Sequence, residues 1–165
     1  MSNAGPTLYM ESVSAVTATN SVALGSTRSD GTNRYVYVYN GGTTAVVGAG
    51  VIISANSAYT VGVTSVLGDL CAGVVKHADL KTNYYGWIAV KGPVSITMGA
   101  GAGVIAAAQG NGVALSTAGA FTGVIVTAGT ICTGQTARAG QCGVATTAMA
   151  ESATGQVWLN NCVLD

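Results

Sequence analysis

A chain of 165 residues in which only 7% are charged, six basic against six acidic, offers no field to draw nucleic acid or an anionic membrane surface. Its length supports one domain with a sizeable core, or two small β-units sharing an interface. Solubility rests on Ser, Thr and Asn, and no apolar run reaches the roughly 20 residues of a membrane-spanning helix.

The first stretch, Met1 to Val22, is polar and lacks a sustained apolar period. It reads as a flexible N-terminal arm over 1–21 that orders only on contact with a neighbour, with Leu8 and Tyr9 as its candidate contact residues. Met1 to Glu11 has neither the basic start nor the apolar stretch of a secretory signal. Residues 22–165 read as a single β domain.

The clearest strand is Arg34-Tyr35-Val36-Tyr37-Val38-Tyr39, where aromatic and β-branched residues alternate before Asn40-Gly41-Gly42. The turn predicts a hairpin whose partner is Val46 to Ile53, with Gly48 or Gly50 at a bulge or bend. Further short strands are expected at Ala58 to Val63, Gly73 to Val75, Gly86 to Val90 and, behind Gly92-Pro93, Val94 to Met98. A short helix is allowed near Val66 to Cys71. Gly99 to Ala108 reads as a loop, because its glycines cost about 1 kcal/mol each in a helix. The strand rhythm resumes at Val113 to Ser116, Gly123 to Thr127, Gly143 to Thr147 and Gln156 to Leu159. Gly73-Val74 before Gly86-Trp87, and Gly143-Val144 before Gly155 to Trp158, suggest one hairpin used twice. The fold class expected is all-β, a small antiparallel barrel or sandwich, with an open β-tulip arrangement as the alternative.

Catalytic groups are scarce. His77 and Asp79 flank Ala78 and share one face of an extended segment, but no Gly-x-Ser-x-Gly elbow accompanies them. The glycines of 99–112 lack the Lys-Ser/Thr of a phosphate loop, and no Asp-x-Asp-x-Asp-Gly segment occurs. The expectation is a protein that is not an enzyme, with no cofactor and no metal. Four cysteines stand far apart, with no Cys-x-x-Cys spacing. They read either as buried thiols acting as small hydrophobes or, for Cys132 and Cys142, as a disulfide around 133–141. The candidate contact residues are aromatic: Tyr35, Tyr37 and Tyr39 on one strand face, with Tyr84, Tyr85 and Trp87; Trp158 is a further ring of the same kind.

The run from Arg34 through Ala45-Val46, the Gly48-Ala49-Gly50-Val51-Ile52-Ile53 strand, Tyr84-Tyr85-Gly86-Trp87, Leu24 to Arg28 and the closing Gly143 to Leu159 segment together resemble small capsid decoration proteins of tailed, especially marine, bacteriophages. The resemblance spans about Val22 to Leu159, in pattern more than in identity. It implies a virion protein made in the host cytoplasm that binds the outer surface of the capsid and bridges capsomers. Its implied partners are the major capsid protein and copies of itself, a trimer being favoured, with no nucleic acid and no membrane. A carbohydrate-binding or adhesive head-fibre module is the alternative, and it requires an exposed ring among Tyr84, Tyr85 and Trp87 beside polar side chains.

Overall fold

The alternation at 34–39 does form a strand, but one buried on both faces. The computed structural model describes residues 12–54, 59–63, 69–100, 105–116, 118–124, 141–160 and 162–164. Within these, the protein is all-β and without helix: β1 (Val16–Thr17), β2 (Thr27–Ser29), β3 (Arg34–Asn40), β4 (Gly50–Ile53), β5 (Thr60–Val63), β6 (Cys71–Val75), β7 (Tyr85–Thr97), β8 (Gly112–Leu115), β9 (Phe121–Val124), β10 (Gln141–Ala145) and β11 (Thr154–Leu159). The helix expected at 66–71 lies partly outside the described residues, and its last residue, Cys71, opens β6.

β3 does not pair with β4 as the hairpin reading expects. Its neighbours are β2 and β7, antiparallel, and β5, parallel. The reason lies in Asn40, a fully buried amide. Its Nδ2 donates to the carbonyls of Thr43, Leu80 and Lys81, and its Oδ1 accepts from Gly42 N–H. That Asx turn ties the chain to the Leu80 turn instead of sending it back along β3. β4 then pairs with β5 and β6, and β6 with β7. The ring β3–β5–β4–β6–β7 returns to β3, a closed five-strand barrel with no free edge.

The two strands expected at 86–90 and 94–98 are one strand, β7, which changes partners midway. β3 accompanies it up to Lys91, and β11 takes over from Gly92 to Thr97. Gly92 (φ 97°) supplies the kink at the exchange, and Pro93 follows it. Asn33 patches this point, its Nδ2 donating to Lys91 and Pro93 carbonyls at 3.2 and 2.9 Å. β7, β11, β10, β8 and β9 then make a second ring, drawn shut by a parallel bridge from Phe121 to Met98.

The two rings share one plan. A single bridge, Ala45 to Leu80 or Ala107 to Met149, precedes a turn ending on Gly48 or Gly110, both at φ 86°. The N–H of each glycine donates to the end of a bulged strand, at Val75 or Ala145, in both cases at 2.8 Å. Gly73 and Gly143 answer one another, because a Cβ there would meet the backbone oxygen of Ala89 or Trp158 at 2.8 or 2.6 Å. Asn83 and Ser152 share a left-handed turn position (φ 62° and 58°). The second half of β7 replaces β3: Asn40 N–H donates to Tyr84 O in the first ring and Met98 N–H to Ala153 O in the second. The hairpin echo in the sequence is thus an echo of whole barrels. Its tryptophans are not equivalent, however. Gly86 matches Gly155, each packed on the matching Leu80 or Met149, so Trp87 aligns with Gln156 and Trp158 with Ala89.

Candidate functional site

Of the candidate contact residues, Leu8 and Tyr9 lie outside the described residues. The others fall into three settings. Tyr37, Tyr39, Tyr85 and Trp87 form an aromatic cluster on the outside of the first barrel. Tyr37 lies 5.1 Å from the Trp87 ring and 6.3 Å from Tyr85, and Tyr39 lies 4.9 Å from Tyr85. The chain itself covers much of this cluster. The Tyr37 hydroxyl meets Ser21 at 3.2 Å, and the Arg28 guanidinium stacks over Trp87 at 5.3 Å. Residues 12–21, placed in the arm by the sequence reading, carry β1 along Tyr85 and Gly86, and Val13 and Val16 pack on the core. Trp87 is 6% exposed, with its Nε1 unpartnered. Tyr84 and Tyr85 are half-buried, Tyr84 beneath the Lys81 ammonium.

Tyr35 belongs to a polar network. Its ring is buried and its hydroxyl donates to Asp30 Oδ2 at 2.7 Å and meets His77 Nε2 at 3.0 Å. Asp30 Oδ1 also accepts from the N–H groups of Asn33 and Thr32 at 2.6 and 2.9 Å. The Asn33 N–H, then the Tyr35 hydroxyl, lower the Asp30 carboxyl from 3.8 to about 2. Burial, reinforced by Asp30, raises the Tyr35 hydroxyl well above its ordinary range, which fits a fixed donor and not a nucleophile. Burial, then the Lys76 charge, lowers His77 below 6.5. His77 faces Tyr35 and not Asp79, which accepts from the Val47 N–H at 2.8 Å.

Both shifts favour the form present at neutral pH. A base held below its unfolded pKa stabilises the fold above that value and loses the contribution as pH falls. An acid held below 3.8 does the same between there and about 2. The melting temperature should therefore fall in acid, modestly because both groups face solvent. Asp30→Asn should lessen the decline below pH 4; an unchanged decline in thermal melts across that range would remove Asp30 from the account.

The third setting surrounds Trp158, a ring that the sequence offers alongside the others without marking its surroundings. Trp158 stands 47% exposed on β11. Strict alternation could have found it: Val157 and Leu159 are buried, so Gln156 and Trp158 point outward. Trp158 pairs with Pro93 and Val144, and Gln156 with Ser95. Thr97 and Thr154 continue the face, their hydroxyls 3.5 Å apart. Gly48 packs against Ser95 and Thr97, which brings up the turn carrying Val46 (56% exposed) and Val47. The result is a sheet face of Trp158, Gln156, Ser95, Thr97, Val46 and Val47, with the Asp79 carboxylate at its edge on the Val47 N–H.

Of the cysteines, Cys132 lies outside the described residues, and Cys142 is a free, buried thiol.

No family model matches the chain, and no curated protein matches it. Among solved structures it is similar to the crystal structure of the head fibre gp8.5 N base of bacteriophage phi29. The TM-score is 0.51 at 8% identity, with 76% of this chain and 94% of that chain covered. At that identity the likeness concerns the fold.

Proposed function

We propose that this protein is a structural component of a tailed-phage head, attached to the outer capsid surface and stabilising the shell by bridging capsomers. The observation that carries the reading is the all-β fold, which is similar, at a TM-score of 0.51, to the base of a phage head fibre. The neutral side chains around Trp158 supply a place for contact. An exposed tryptophan among neutral polar groups and valines has the composition of an interface core. Bridging requires no pocket, since several modest contacts made at once multiply through effective concentration.

The reading is tested by co-sedimentation with tailed-phage capsids lacking their own copy. Saturable binding at fixed stoichiometry is expected, and Trp158→Ala should weaken it about 30-fold. No binding by the unaltered chain would overturn the proposal.

A second reading, a neutral-glycan adhesive, has one observation in its favour. Trp158 has the exposure that such a site needs, beside Gln156 and Ser95, whereas Trp87 is buried. Glycan-array binding lost in Trp158→Ala, without capsid binding, would favour it.

A further inference from the structure

Three of the four cysteines, far apart in sequence, meet in one place. Cys71 lies on β6 of the first barrel, Cys142 on β10 of the second, and Cys162 in the turn after β11; all three are buried in the common core. Backbone bonds bracket the meeting point. Asn160 N–H donates to Cys142 O at 3.1 Å, and Val163 N–H to Cys71 O at 2.8 Å, which holds Cys162 between the other two. The Cys142 and Cys162 side chains both act on the Cys71 thiol, the first raising and the second lowering its titration, and Cys71 Sγ donates to the Gly73 carbonyl at 3.4 Å.

We propose that this cluster is an oxidation-driven lock between the two barrels, in which Cys71 enters a disulfide with Cys162 or Cys142. Buried cysteines on segments tied together by these backbone bonds need little backbone movement to bond, and either product joins the first barrel to the second or to the turn following it. Oxidised glutathione is a sufficient oxidant. Cys162, at 7% exposure against 2% for Cys71 and 0% for Cys142, is the entry point. Its thiolate attacks the glutathione disulfide and one glutathione leaves as a thiol. The Cys71 thiolate then attacks the Cys162 sulfur and expels the second glutathione. Two protein thiols lose two hydrogens and one small disulfide becomes two thiols. Cys142 remains as the third thiol and can exchange with Cys162 for the bond to Cys71. Contact with Cys142, together with burial, keeps the Cys71 thiol above its ordinary range, so locking should be slow at neutral pH and faster in mild alkali.

The test uses the full chain, incubated with oxidised glutathione a few degrees below its melting temperature, then denatured, alkylated and peptide-mapped by mass spectrometry. Two of the four thiols should escape alkylation, with Cys71 linked to Cys162 or Cys142. The melting temperature should rise by roughly 5–10 °C. Cys132→Ala should leave both results intact, and Cys71→Ala should abolish both. Because Cys71→Ala carries a folding risk, the link map of the unaltered chain decides. Full alkylation of Cys71, or any link that omits it, including one from Cys132 to Cys142, would overturn the proposal.

Discussion

Gly92→Ala should destabilise the protein by about 3 kcal/mol or more, lowering the melting temperature by roughly 6–12 °C. Two effects add at this position. The backbone sits at φ 97°, where a side chain is strained. The new Cβ would also press into the Thr32 carbonyl oxygen and lie 3.1 Å from the Asn33 Cα, both of them backbone atoms that cannot swing aside. Asn33 is the residue whose amide holds the Lys91 and Pro93 carbonyls where β7 passes from one barrel to the other. Displacing it would also break its bond from Lys76. Gly31→Ala isolates the strain, because Gly31 has φ 88° and nothing within 4 Å of a built Cβ; it should cost about 1 kcal/mol. Urea unfolding of the two variants makes the comparison, and equal midpoints would show that the partner exchange on β7 does not depend on this close approach.

The strand content was legible in the sequence because β-branched and aromatic runs between glycine turns carry a local signal. Every described strand from β3 onward falls at or beside an expected position. Pairing was not legible. The Asn40-Gly41-Gly42 turn looks like a hairpin turn, and only the distant carbonyls of Leu80 and Lys81, brought in by folding, redirect it. Nor does Gly92-Pro93 announce a strand that runs on, since its missing N–H is harmless only where one partner strand ends and the next begins. The tyrosines were identified correctly as one strand face, but their covering by residues around Ser21 and Arg28 is a tertiary fact. Trp158 is the reverse case: its period-2 setting is readable, whereas the neighbours Ser95, Thr97 and Val46 that make up its face come together only on folding. Val46 and Val47, read as part of a strand, instead lie in the turn before β4.

The duplicated plan yields the second large effect. Phe121, the one phenylalanine in the chain, occupies in the second barrel the place that Val61 holds in the first: Gly99 N–H donates to Phe121 O as Gly41 N–H donates to Val61 O. Both are fully buried, yet their tasks differ. The Phe121 ring reaches out of its own barrel to β4 of the other, where a Cβ on Gly50 would lie 2.8 Å from its tip. Phe121→Ala should therefore cost about 3–5 kcal/mol, against about 2 kcal/mol for Val61→Ala, because one substitution empties the seam between barrels and the other only the inside of one. The same seam predicts coupling. Gly50→Ala alone overpacks against the Leu115 side chain and should destabilise by about 1–3 kcal/mol. In a Leu115→Ala background the closer clash is gone and the Phe121 tip can shift into the space left, so the double variant should be more stable than the sum of the singles by about 1 kcal/mol or more. Strict additivity in urea unfolding would mean that Gly50 and Leu115 do not pack on one another across the seam. Coupling would mean that they fold as one body across a packed interface, the condition under which a disulfide at Cys71 locks an arrangement that already exists.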